Sequence, residues 1–248
     1  MIIYMSDILC VTKRSLCKED FLVRIEKIAK TEAAGIILRE KDLSKEEYQA
    51  LAEKVLAICQ RQKMQCILHT YTNVARKLAC NAIHLPMPIL RTLSKEERDA
   101  FQILGASCHS LEEAVEAENL GCTYITAGHI YETDCKKGLP GRGVEFLRNI
   151  CEAVSIPVYA IGGINPENLC EVKKAGAAGG CIMSGWMQCE DVREYLRLGS
   201  VQAIYKCESG LSYPQVDTMF ALMELYEADL NALICEHREE EPCIYGHD

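Results

Sequence analysis

No Cys-x-x-Cys pair occurs in this sequence, although it holds 15 cysteines. That absence removes the usual short-spaced redox or metal pair. The cysteines are scattered through apolar segments such as "ILCVT", "QCILH" and "GGCIM". There they read as small hydrophobes of a reducing cytosol. No apolar run approaches the ~18 residues of a membrane span, so no membrane partner is expected. The opening "MIIYMSDILCVTKRS" has no basic start followed by an apolar stretch and a small-residue cleavage site. No signal peptide is therefore expected, and the expected location is cytoplasmic. A basic excess is also missing. Net charge is −9, and residues 201–248 carry −8 of it, with ten acids against Lys206 and Arg238. A nearly neutral body with an acidic tail is a poor match for nucleic acid, which attracts a basic face.

What is present is a cycle. Short apolar runs alternate with amphipathic stretches eight times. The strand-like runs are 7–12, 35–40, 65–70, 82–86, 101–107, 122–128, 157–163 and 180–185. Most are continuously apolar, as strands buried on both faces of a parallel sheet must be. Between them, 44–62 opens with Ser44 and Glu47 in capping-box spacing, and its Tyr48, Leu51, Val55 and Ile58 share a helical face. Residues 110–121 open with Ser110 and Glu113 and close at Gly121. In 165–179, Asn165 reads as a cap and Pro166 as the first helical residue. Eight such units in about 200 residues predict an α/β chain folded as a (β/α)8 TIM barrel over 1–199. An open doubly wound sheet is the runner-up, but it would want a glycine-rich turn after the first strand, and "VTKRSLC" has none. Residues 200–248 break the cycle and read as an acidic helical C-terminal extension. Met219, Leu222, Met223, Tyr226, Leu230 and Leu233 recur at helical spacing. That face is expected to pack on the chain's own barrel or to form a homodimer contact. Cys235, His237, Cys243 and His247 match no standard zinc spacing, so no metal site is expected there.

In such a barrel, function sits at the C-terminal ends of the strands. The seventh run exits into Gly162-Gly163 and the eighth into Ser184-Gly185. Bare backbone N–H groups at these two turns suit a phosphate. His129 stands where the sixth strand becomes a polar loop carrying Glu132, Asp134, Lys136 and Lys137, then Gly138, Gly141 and Gly143. An imidazole there can exchange a proton near neutral pH, and the loop can close over a ligand. Ser107, Arg39 and Lys41 lie at other strand ends and are candidate substrate contacts. His69 is expected to face the pocket. His84 reads as a hydrogen-bonded core residue, and His109 as a cap or pocket wall.

The stretches "GHIYETDCKKGLPGRGV" (128–144), "SIPVYAIGGINPENL" (155–169) and "VKKAGAAGGCIMSG" (172–185) resemble the thiamine phosphate synthase/TenI superfamily, and within it the TenI branch of thiazole tautomerases. "LREK" (38–41) and "SCHSLEEAVEAE" (107–118) also fit. The resemblance covers about residues 5–195. It implies an isomerase of thiamine biosynthesis that aromatises a carboxythiazole phosphate by proton transfer, without metal or other cofactor. His129 falls on the family's catalytic histidine. Gly162, Gly163, Ser184 and Gly185 would hold the phosphate, and Arg39, Lys41, Ser107 or Lys136 would contact the rest of the substrate.

The synthase branch, a transferase, instead joins hydroxymethylpyrimidine diphosphate to thiazole phosphate and needs Mg²⁺. Its pattern carries Asn-Asp after strand three and Gly-Gln-x-Asp after strand four. Here those places hold His69-Thr70 and "LPMPIL" (85–90). The synthase loop's Thr-x-Thr-Lys is Thr133-Asp134-Cys135-Lys136. Two alternatives therefore stand beside the tautomerase: a thiamine phosphate synthase with a reorganised metal site, and a non-catalytic regulatory protein that keeps the pocket.

Overall fold

The computed structural model describes residues 7–133, 138–192 and 195. Its strands are β1 (Ile8–Val11), β2 (Gly35–Leu38), β3 (Cys66–His69), β4 (Ala82–Pro86), β5 (Ile103–Cys108), β6 (Tyr124–Gly128), β7 (Val158–Ile161) and β8 (Gly179–Ile182). All pair in parallel with their sequence neighbours, and β8 returns to β1 with Cys10 opposite Ile182. The sheet closes, so the open-sheet alternative is overturned. Each strand falls within three residues of the ends of its apolar run.

The interleaved helices are α1 (Phe21–Ala29), α2 (Lys45–Gln62), α3 (Thr72–Lys77), α4 (Met87–Leu90), α5 (Lys95–Asp99), α6 (Leu111–Asn119), α7 (Gly143–Ala153), α8 (Leu169–Lys174) and α9 (Ser184–Gln188). The capping box at Ser44 and Glu47 opens α2 as expected. Ser110 caps α6 by accepting from the Glu113 N–H. The Glu113 carboxylate turns to the His109 N–H instead of to its own cap.

One boundary differs from expectation. The segment after β7 becomes helical at Leu169, three residues later than Pro166. The Asn165 Oδ1 accepts from the N–H groups of Glu167 and Asn168, while Asn168 returns its Oδ1 to the Asn165 N–H at 3.0 Å. The two asparagines close a turn on each other, and that turn competes with helix initiation.

Alternate strand residues sort into two apolar clusters. Leu9, Val11, Ile37, Ile67, Ala82, Tyr124 and Cys181 fill the barrel interior. Ile36, Leu38, Leu68, Leu85 and Ile125 face outward and pack with Ile25, Ile28, Val55, Leu147 and Ile150 of the helices. This two-sided burial is why the runs carry no polar alternation. Cys10, Cys59, Cys66, Cys108, Cys122 and Cys181 are buried in this packing. Burial pushes the Cys108 and Cys122 thiols up to about 12, which keeps them protonated and inert. Among the described residues no helix is long and apolar enough to cross a membrane. The C-terminal extension and its Cys/His spacing lie outside the described residues.

Candidate active site

Two cavities open at the C-terminal mouth of the barrel. The larger, about 720 Å³, lies between the β7 and β8 turns and the loop after β6. Its wall includes Gly163, Asn165, Ser184, Gly185, Glu132, Leu139 and Tyr195. Three of the four expected phosphate contacts thus share one space, although they come from turns after different strands. Gly162, the fourth, lies just behind the wall. Its φ is +98°, and a Cβ there would come within 2.8 Å of the His129 Cα. Gly163, at φ +68°, approaches the Glu132 carbonyl in the same way, where a Cβ would lie 2.7 Å from the oxygen. Both positions need glycine: any side chain would be strained by φ and blocked by the neighbouring loop.

That loop is anchored at its base. The N–H groups of Ile130 and Tyr131 extend the pairing to Ile161 O and Gly162 O, and those of Arg142 and Gly143 donate to His129 O and Ile130 O. Tyr131 donates its hydroxyl to Glu171 of α8 at 2.6 Å. Asn168 gives its Nδ2 hydrogen to Gly163 O at 2.9 Å, which fixes the turn beneath the cavity. Asn168 is not among the residues expected from the sequence. The spacing of Asn165 and Asn168 was the available signal.

His129 is buried, 8% exposed, and its Nε2 faces Leu139 O at 3.4 Å. The Nδ1 has no partner among the described residues. His129 is therefore set back from the cavity lining, its backbone against Gly162 and its Nε2 facing Leu139 O. The other described histidines are committed to partners. His109 donates from Nδ1 to Gly128 O at 3.0 Å, tying β5 to the end of β6. His84 is bonded at both ring nitrogens, to Tyr124 Oη at 2.9 Å and Ser107 Oγ at 2.8 Å. A neutral imidazole has one donor and one acceptor, so one of these hydroxyls accepts and the other donates. His69 stacks on His84 with ring centroids 5.7 Å apart, and its Nδ1 meets Thr70 Oγ1 at 2.6 Å.

The smaller cavity, about 280 Å³, is walled by Glu40, Lys41, Tyr48, His69, Thr70, Tyr71 and Pro86. Lys41 and His69 line this cavity and not the one at the β7 and β8 turns. Ser107 does not line either cavity; its hydroxyl serves His84. Arg39 gives its backbone N–H to Thr12 Oγ1 at the end of β1. Glu40 is buried and accepts from the Thr12 hydroxyl at 2.7 Å and from the Arg14 N–H at 3.0 Å. Desolvation raises its pKa, an effect the Thr12 and Arg14 hydrogen bonds oppose. Lys136 lies outside the described residues.

The paired histidines leave a pH signature. Burial first, then the charges of His84, Arg39 and Lys41, pushes His69 down to about 2. Burial first, then Arg39, pushes His84 down to about 3. Both stay neutral in the fold but titrate near 6.5 when unfolded. Below that pH the unfolded chain binds more protons, so the stabilisation present above pH 6.5 is lost as pH falls towards 3. The expected slope is about 1.4 kcal/mol per pH unit for each histidine. Urea unfolding at pH 7, 6 and 5 measures it, and His84→Gln is expected to remove about half. An unaltered slope in that variant would show that His84 is not held neutral.

A divalent cation at the ends of β3 and β4 would require hard oxygen ligands. Those ends present His69, Thr70 and Pro86, and the nearby Glu40 already serves Thr12 and Arg14. Among the described residues, no group of three or more Asp, Glu, His or Cys side chains converges on a point. The donor set does not fit such an ion.

The profile of the family described as thiamine monophosphate synthase matches residues 8–186. A thiamine-phosphate synthase of Clostridium acetobutylicum is 33% identical over 192 residues, 76% of this chain and 90% of the relative. Thiamine-phosphate synthase 2 of Streptococcus pneumoniae is 31% identical over 179 residues, covering 70% of this chain and 83% of that one. The solved thiamine phosphate pyrophosphorylase of Pyrococcus furiosus superposes with a TM-score of 0.67 at 30% identity, covering 79% of this chain and 95% of that one. The chain belongs to the thiamine monophosphate synthase family, within the superfamily that includes TenI.

Proposed function

We infer that this chain is an enzyme of thiamine biosynthesis that holds a thiazole phosphate on the β7 and β8 turns and aromatises it by proton transfer. The backbone N–H groups of Gly163, Ser184 and Gly185 bind the phosphate. His129 takes the proton from ring carbon two and returns it to the exocyclic carbon, so no proton is consumed. The observation that carries this reading is the uncommitted Nδ1 of His129, a residue whose backbone packs against Gly162, next to the glycine that lines the cavity. For the ring to reach a ligand, Leu139 must move aside. Its contact to Nε2 is long for a hydrogen bond and costs little to give up.

A second reading is favoured by the names of the relatives, which are thiamine-phosphate synthases. It uses the same phosphate site but joins two substrates with Mg²⁺. The donor set at β3 and β4 weighs against it. One experiment separates the two. The purified chain is given the thiazole tautomer alone, and in parallel thiazole phosphate with hydroxymethylpyrimidine diphosphate and Mg²⁺. Aromatic product in the first reaction without thiamine phosphate in the second supports the isomerase. Thiamine phosphate formed at a steady rate would replace it with the synthase.

A further inference from the structure

Tyr195 lies beyond the last strand-helix unit, and its N–H donates to Asp191 O at 3.0 Å. Its ring reaches back to α9, so that the phenol oxygen rests on the Cα side of Gly185. A Cβ on Gly185 would overlap that oxygen and would come within 3.0 Å of the ring edge. The same tyrosine lines the larger cavity with Gly163, Ser184 and Gly185. Resting on the proposed phosphate site, we propose that the Tyr195 hydroxyl is a further ligand of the bound phosphate, donated from outside the eight-unit cycle.

The chemistry suits the position. A phosphate oxygen accepts, and a protonated phenol donates. Burial raises the Tyr195 pKa above its ordinary value, as do the neighbouring Cys189 and Glu167. The group is therefore a donor throughout the neutral range. The phenol supplies a side-chain donor next to Gly185, in the same cavity as the backbone amides of the two turns. Gly185 fits this arrangement, because a larger residue would displace the hydroxyl.

The test is inorganic phosphate binding by calorimetry, with the full chain as wild type and as Tyr195→Phe. Phe keeps the ring that packs on Gly185 and removes only the hydroxyl. The expected result is roughly tenfold weaker binding, the size of one hydrogen bond to a charged group, with an unchanged melting temperature. Equal affinity overturns the inference and leaves the amide site standing. Tighter binding by the Phe variant also overturns it, because the hydroxyl would then occupy the site in place of the anion. Absence of saturable phosphate binding in the wild type overturns the underlying phosphate site itself, and the inference with it.

Discussion

His129→Ala is expected to slow aromatisation of the thiazole tautomer by ~10²–10⁴, the usual contribution of a positioned general acid–base group. The change should fall on kcat, with KM moving little, because the phosphate is held by backbone amides that the substitution does not touch. Circular dichroism and thermal unfolding check that the chain remains folded. Some destabilisation is expected, since the residue is buried and its ring faces Leu139 O. The imidazole's Nδ1 has no partner among the described residues, so few bonds are lost. Adding imidazole to the alanine variant offers a second readout: recovered turnover would tie the loss to the missing base and not to a shifted loop. If His129→Ala turns over as fast as wild type, the ring is structural and the proton moves elsewhere.

Much of this architecture is legible directly in residue order. Strands buried on both faces leave continuous apolar runs, and those runs locate all eight strands. Closure follows from counting units, and the observed pairing of β8 with β1 agrees. The double glycine after β7 is legible too: one residue sits at φ +98°, and a Cβ on the other would lie 2.7 Å from the Glu132 carbonyl oxygen. What depends on three-dimensional closure stays hidden. His84 on β4 binds Ser107 on the neighbouring β5 and Tyr124 on β6 beyond it, and only the folded sheet brings these three side chains together. Ser107 therefore looks like a substrate contact in the sequence, while in the fold its hydroxyl is already engaged.

The Asn165–Asn168 turn is misleading because an Asn-Pro pair signals a helix start locally. The competing side-chain hydrogen bonds become visible only in the folded turn. Tyr195 escapes for a different reason. Strand ends mark the mouth of a barrel, and this residue reaches the cavity from the chain beyond them. The placement of His129 is half legible. Its neighbourhood follows from the strand end, but the carbonyl of Leu139 in front of it does not follow from residue order.

Gly162→Ala is expected to be the most damaging single-methyl change at the site. The residue is in the left-handed region at φ +98°, and an added Cβ would lie 2.8 Å from the Cα and 3.3 Å from the carbonyl carbon of His129. Neither atom is the end of a flexible side chain. Both belong to backbone held by the Ile130 and Arg142 hydrogen bonds, so relief means moving the end of β6 away from β7. The positive φ alone costs on the order of 1–2 kcal/mol. Displacing paired backbone adds a comparable or larger amount, for a total of about 3–5 kcal/mol. At ~2–4 °C per kcal/mol for a chain this size, the melting temperature should drop by roughly 6–20 °C. Gly121→Ala is the matched control. Its φ is +87°, and an added Cβ would meet nothing within 4 Å. That variant carries only the backbone strain, so the difference between the two isolates the contact with His129. Phosphate affinity should fall with Gly162→Ala and hold with Gly121→Ala, because only the first disturbs the turn that carries Gly163. Equal melting temperatures for the two variants would mean that the β6 end yields freely. The link between the histidine and the phosphate turn would then be packing without consequence.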